Sequence, residues 1–539
     1  MRFTAFTRPA RPSTIACERP RRVVCAYVWS SLALLALIPL LLAGAQDTRA
    51  DSRAIVRAQV RGDIHDKEKP AKPPTAPQPG FALPWLGGAR LTTALRSRGE
   101  SWRWFDDGAA GRYTYGALLP RVTLALEHPR IAWRVEAVAP TLVDLPDDAV
   151  RGAPLGQLGL GANYAAANDN RSTLANVLLR QAWLEWRGRA GSARAGRFEF
   201  TDGVERTVAS PSLASLKTTR IGQRLFGPVA FSHVGRSTDG VSLRIGSGRV
   251  QGMLVAGRPT SGVFTARDGG HTLDVDLGYG ALVTGGKLRR GGEYDLRLFD
   301  AEYRDRRGLV ATDDRALAAR QADSHALRVS TVGAHAVAVV PVGTVQLDGL
   351  LWGAIQRGTW GTLDHRASAI AVEGGVHWPA MRWSPWLRAG AFHSSGDAKP
   401  GDAVHGTFFQ LLPTPRLYAR FPFYNAMNTE ELFGQATVKP TRTLTARTGF
   451  NVLRLTDAHD LWYAGGGAFD RTGFGYAGRP SLGERSLGRI ADGALEWKPN
   501  RWVAMEGYLG INWGNHVARH IYGTDGHGQF GYVEVTLTR

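Results

Sequence analysis

The sequence predicts an all-β protein: a single transmembrane antiparallel β-barrel of about 18 strands, with short periplasmic turns and long extracellular loops. Three observations predict it. From Phe81 onward, segments alternate apolar and polar residues at the period of a strand and are separated by Gly, Pro, Asp and Asn. The connections between segments alternate between short and long. The chain also opens with the features of an export signal.

The signal comes first. Arg2, Arg8, Arg11, Arg19, Arg21 and Arg22 precede an apolar run from Ala26 to Leu42, followed by Ala43–Ala45. A basic region, an apolar core and small residues, in that order, predict a cleavable secretory signal over residues 1–45. A retained anchor is the alternative, but the run is short for a span and contains Pro39. Both cysteines, Cys17 and Cys25, leave with the signal, so the mature chain has neither disulfide nor thiolate chemistry. Residues 46–80 end in "DKEKPAKPPTAPQPG", which is too rich in proline and charge to bury a core and predicts a disordered linker. The barrel is expected over residues 81–539.

Within it, "RVTLALE" puts Val122, Leu124 and Leu126 on one face, and "IAWRVEA" sets Ile131, Trp133 and Val135 against Arg134 and Glu136. "HPR" between them is a tight turn. Short turns are expected near 128–130, 188–191, 248–249, 341–343, 379–382, 440–442 and 498–500. Long connections are expected near 99–110, 141–175, 201–238, 304–323, 395–428, 456–485 and 514–526. A soluble sandwich, propeller or solenoid has no reason to sort connection lengths by parity, whereas an outer-membrane barrel does. The strands are too short to span as helices, but about ten tilted strand residues suffice. Trp183, Trp186, Trp352, Trp378, Trp383, Trp386, Trp497, Trp502 and Trp513 fall at segment ends, as interface girdles require. The last segment, "GQFGYVEVTLTR", alternates like a closing strand, although it ends on Arg539 where such strands finish on an aromatic residue.

Charge points to an anionic partner. Of 66 Lys and Arg only eight are lysine, against 47 Asp and Glu. Arginine grips carboxylate and phosphate in a fork, where lysine is a hydrated point charge. An arginine facing lipid near the midplane costs about 2–4 kcal/mol, so arginines inside strands are expected to face the lumen. The expected pore-lining residues are Arg134, Arg197, Glu199, Arg244, Arg297, Arg328, Arg388 and Arg447. Pairs such as Arg134 with Glu136, or Arg197 with Glu199, also fit wall bracing. "TPRLYARFPFYN" (414–425) alternates like a strand, yet Pro413, Pro415 and Pro422 bar it from the middle of a sheet. Two arrangements fit it: a constriction folded inward that presents Arg416, Tyr418 and Arg420 to solute, or a lid packed on neighbouring loops.

Catalytic, metal-binding and cofactor-binding residues are not expected. His233, His325, His335 and His377 are scattered, and G-x-S-x-G, H-E-x-x-H and phosphate-loop motifs are missing from the sequence. An outer-membrane hydrolase therefore has little to stand on, and export from the cytoplasm removes nucleic acid as a partner. A general or small-anion porin stays open.

Several stretches resemble one known family, the alginate-export outer-membrane porins: "RQAWLEW" (180–186), "GRFEFTDGVE" (196–205), "LKTTRIGQRLFGP" (216–228), "HVGRSTDGV" (233–241), "GTFFQLLPTPRLYARFPFYN" (406–425), "DLWYAGGGAFD" (460–470) and "FGYAGRPS" (474–481). The resemblance implies a monomeric barrel in the Gram-negative outer membrane, with an arginine-lined, anion-selective channel that secretes an acidic exopolysaccharide. The partners it implies are that polysaccharide, outer-membrane lipid and periplasmic export components. The polysaccharide itself is not specified by these motifs.

Overall fold

A computed structural model describes residues 80–539 apart from 106–107, 247–248, 290, 415–416 and 524–525. The expected signal peptide, and the linker except Gly80, lie outside the described residues. So does Arg416.

The chain forms an 18-strand closed antiparallel barrel. Its strands are β1 Ala89–Arg103, β2 Arg112–Glu127, β3 Ile131–Val138, β4 Leu178–Arg187, β5 Gly191–Phe198 and β6 Thr238–Ile245. They continue as β7 Val250–Pro259, β8 Val275–Lys287, β9 Glu293–Asp305, β10 Leu327–Val342, β11 Val345–Trp360 and β12 Leu363–His377. The last six are β13 Trp386–Ser394, β14 Thr429–Val438, β15 Leu444–Leu455, β16 Ser486–Trp497, β17 Val503–Gly514 and β18 His527–Thr538. Each pairs with its predecessor, and β18 closes on β1 in a register running from Ala94 opposite Thr538 to Arg103 opposite Gln529. No open edge remains in the wall, so its backbone groups are paired without water.

Alternation along each strand decides which side faces out. Leu432, Val533, Ile355 and Val372 are exposed on the exterior, while Trp352, Phe299, Val337 and Glu373 on the opposite parity are buried inside. A core of buried apolar side chains coexists with an apolar exterior, the inverse of a soluble surface. No helix among the described residues is long and apolar enough to cross a membrane. Among the tryptophans expected in girdles, Trp186, Trp383, Trp497, Trp502 and Trp513 are exposed. Trp183 and Trp352 are instead buried inside the barrel, because they share parity with lumen residues such as Glu185 and Gln356.

Connections sort by end. At one end lie short turns such as 128–130, 188–190, 343–344 and 498–502. At the other lie 139–177, 199–237, 306–326, 395–428 and 456–485. One exception is the two-residue turn 361–362, where Gly361 takes φ +62° to reverse the chain. Several of the long connections fold back and fill the barrel.

Candidate functional site

The deepest of these is residues 199–237. Its ends meet through backbone bonds, Asp202 N to Phe226 O at 3.2 Å and Gln223 N to Asp202 O at 3.2 Å. Between them the chain runs down to the short-turn end and returns. Ser210 accepts from Leu213 N at 3.3 Å and starts the short helix Pro211–Leu216. The wall receives this tip: Glu293 accepts from the amides of Ala209 and Ser210, and Ser212 donates to Gln346 at 2.6 Å. Lys217 Nζ meets Asp295 at 2.7 Å, and Arg206 meets the same carboxylate at 3.0 Å. In the opposite sense, wall residue Arg297 meets Glu205 at 3.1 Å and Asp202 at 3.4 Å. Burial alone would push Glu205 up, but the Arg297 guanidinium and the Tyr279 hydroxyl outweigh it and hold the carboxylate below its ordinary value.

The return limb of this segment carries Arg220 and Arg224. Arg224 meets Glu373 at 3.0 Å and donates to the Tyr418 hydroxyl at 3.0 Å. Arg220 donates to Leu417 O at 2.9 Å and Gln435 at 2.6 Å. Arg236 donates only to carbonyls, of Ala468, Gly466 and Pro413, and so stitches three inserted segments together. Its burial without a carboxylate pulls the guanidinium down to about 10.

Residues 395–428 are the second insertion. Arg420 crosses the lumen to β16 and β17, meeting Glu496 at 3.0 Å and also Glu506, while its amide donates to Asp492 at 3.0 Å. The segment therefore lies inside the barrel, tied to wall carboxylates.

Thr414 lines three cavities beside these insertions. One of about 440 Å³ lies toward the short turns, between the helix Pro211–Leu216 and strands β13 to β15. Arg220, Arg388, Arg420, Lys439 and Arg447 line it, against the single carboxylate Glu496. A second, of about 280 Å³, lies between Arg96, Arg98, Arg420, Glu506 and Glu534. The third, of about 320 Å³, opens among the long connections and is aromatic, with Trp104, Phe423, Tyr424, Phe469, Phe474 and Tyr476 around it and Arg479 beside them.

The alginate-export family model matches residues 160–484, more than half of the chain. The chain belongs to the alginate-export family. It is an outer-membrane β-barrel channel, and the family is one of transport. The stretches quoted above all fall within the matched residues. No curated protein matches the chain. Similar solved structures include Pseudomonas aeruginosa OccK9 (OpdG), at 10% identity and a TM-score of 0.49 over 85% of this chain and 99% of that one. Pseudomonas aeruginosa OccK1 (OpdK) is similar at 10% identity and a TM-score of 0.48, over 83% and 99%. Acinetobacter baumannii OccAB4 is similar at 9% identity and a TM-score of 0.49, over 83% and 98%.

The expected pore residues of this member of the alginate-export family scatter. Arg134, Arg244, Arg297, Arg388, Arg420 and Arg447 lie on the inner side of the wall or inside it. Arg134 is half-buried near Glu136, and Arg244 is exposed at the short-turn rim. Arg388 is clamped between Asp348 at 2.9 Å and Glu373 at 2.9 Å, with one side open to the cationic cavity. Arg447 lines the same cavity, and its Nε and Nη2 are buried with no hydrogen-bond partner among the described residues. Glu199 braces Arg180 at 2.8 Å at the root of the first insertion.

Four expectations need correction. Arg297 has no exposed side-chain surface, because Asp202 and Glu205 cover it. Tyr418 is buried against Phe392 and Phe433 with Arg220 and Arg224 over its ring, so it anchors the segment and does not present itself to solute. Arg197 pairs in register with Asp239, two residues from the exterior Val241, and it lies on the outer face with Asp239 at 2.6 Å. Arg328 is exposed on the outer face, on the parity of Val332. Both exterior arginines lie at strand ends beyond the apolar band, where the midplane penalty that favours the lumen does not apply.

Sequence reasoning missed Arg96, Arg98, Arg220 and Arg224. The first two were readable from parity, since they oppose Leu91 and Leu95 in β1. Arg220 and Arg224 sit in a segment without strand alternation, where only the density of charge in "KTTRIGQR" marked them.

Proposed function

We propose that the channel is anion-selective and exports an acidic, alginate-like polysaccharide from the short-turn side to the long-loop side. The cationic cavity carries this reading: five cationic side chains and one carboxylate line it. While carboxylates pair Arg220, Arg388 and Arg420, Lys439 and Arg447 have no ion-pair partner among the described residues, so a polyanion finds counter-charges there. Arg447 lines this cavity and forms no ion pair among the described residues, so its charge is left to act on a uronate carboxylate. Ser215, Thr218, Thr437 and Thr445 around it offer hydroxyls to the sugar, which a channel for small inorganic anions would not need. Beyond Thr414 and Arg420, the aromatic cavity offers faces against which sugar rings pack. Successive shallow contacts let a polymer advance, whereas one tight pocket would hold it.

Planar-bilayer recording tests this. A salt gradient should give an anion-selective reversal potential, and polyuronate added on the short-turn side should block the current. Arg447→Ala should weaken that block about tenfold, the loss of one charge-assisted contact. If polyuronate and neutral dextran of equal length block alike, the reading fails and a small-anion porin takes its place.

A further inference from the structure

We infer that the outer wall of the barrel, on strands β9 to β12, holds a binding site for phosphorylated lipid head groups. Arg304 on β9, Arg328 on β10, Arg357 on β11 and Arg366 on β12 all face outward near the long-loop end. The register sets Arg304 directly opposite Arg328, and Arg357 directly opposite Arg366. Like charges in direct cross-strand pairs repel, so two such pairs on four neighbouring strands are unfavourable unless an anion lies across them.

The protein supplies such an anion to only one of the four. Asp276, opposite Arg304, is taken by Arg258 at 2.9 Å and Arg306 at 3.0 Å. Asp364 meets Arg366 at 3.2 Å, with both side chains mostly exposed. Glu302 and Asp300 share the face one and two steps below Arg304, yet neither forms an ion pair with the row. Arg304, Arg328 and Arg357 have no ion-pair partner among the described residues, and Arg304 Nε is buried without a hydrogen bond. Among the described residues the Arg357 guanidinium bonds only to the carbonyl of Gln356, at 3.2 Å.

Position identifies the ligand class. Below the row, beyond Glu302, Asp300, Ser330 and Ser368, the same face is apolar and exposed, with Leu298, Val332, Ile355, Ile370 and Val372. The guanidinium groups thus stand where acyl chains end and head groups begin, at the leaflet on the long-loop side. Forked donors at that level fit the phosphates of a glycolipid whose chains cover the band below. The site is independent of what the channel conducts.

Native mass spectrometry of the full chain in detergent provides the test, titrated with diphosphoryl lipid A and with the same lipid dephosphorylated. The wild type should bind the diphosphoryl form about tenfold more tightly. The combined variant Arg304→Gln, Arg328→Gln, Arg357→Gln should lose that preference while binding the dephosphorylated form as before, with folding checked by unheated gel mobility. Arg357→Gln alone serves if the triple variant does not fold. Arg442→Gln with Arg501→Gln, on exposed turns at the opposite end, should leave binding unchanged. Equal affinity of the wild type for the two lipids, or a variant that keeps the preference, overturns the site. Full displacement of the lipid preference by millimolar inorganic phosphate also overturns it, since the site would then be one for a free ion.

Discussion

Arg297 and Arg447 face one lumen with opposite surroundings. The guanidinium of Arg297 is enclosed by Asp202, Glu205 and Tyr279. Removing it leaves two buried carboxylates without their counter-charge, which costs about 3–5 kcal/mol. Arg297→Ala should therefore lower the denaturant midpoint of the detergent-solubilised barrel by an amount of that order. Arg447→Ala breaks no ion pair and should leave the midpoint where it was, while reducing anion selectivity. Equal destabilisation by both variants would mean that Arg447 is a structural cation too. Parity made the lumen position of both legible in sequence. What it could not show is occupancy, because the carboxylates that cover Arg297 lie some ninety residues earlier in a segment with no strand period.

At the scale of elements, insertions and loops set the bore. Residues 207–219 lie between limbs already joined at Asp202 and Gln223, so a short Gly–Ser linker can replace them without moving the wall. Single-channel conductance should then rise severalfold; an unchanged conductance would show that this segment stands clear of the ion path. The long connections also carry a pH response. Burial pushes Asp460 up to about 6, although it accepts from Thr407 and Tyr463. Asp314 is pushed up to about 7 by burial and by Asp397, Asp460 and Asp313. Folded-state values above the unfolded value of about 4 mean that the stabilisation is full below pH 4 and is lost as pH rises through 6 and 7. Amide protection in 395–428 and 456–485, corrected for intrinsic exchange, should be greater at pH 5.5 than at pH 8. Asp460→Asn should flatten the difference, and greater protection at pH 8 would reverse the sign of the argument.

For the whole molecule, closure is the cooperative event. β18 must find β1 across the full length of the chain, and Arg539 completes the seam: its backbone exchanges two bonds with Thr93 and its guanidinium lies over the Phe81 ring. Deleting residues 527–539 should abolish the heat-modifiable gel mobility of a closed barrel. A truncated chain that keeps this mobility would show that the remaining strands close without their seam.

The amino-acid sequence by itself determined the class of fold, the number of strands and most of the sorting of turns from loops, the turn 361–362 excepted. Each of those follows from local alternation and from the rule that membrane-buried backbone must pair. It also placed Arg134, Arg388 and Arg447 on the inner face, since parity propagates along one strand without reference to any other. Only the tertiary structure decided which arginines are covered and which stay open, because that depends on where residues 199–237 and 395–428 descend. It also decided that Arg197 and Arg328 stand outside: the height at which the apolar band ends is set by strand tilt and register across neighbours, which no single segment encodes.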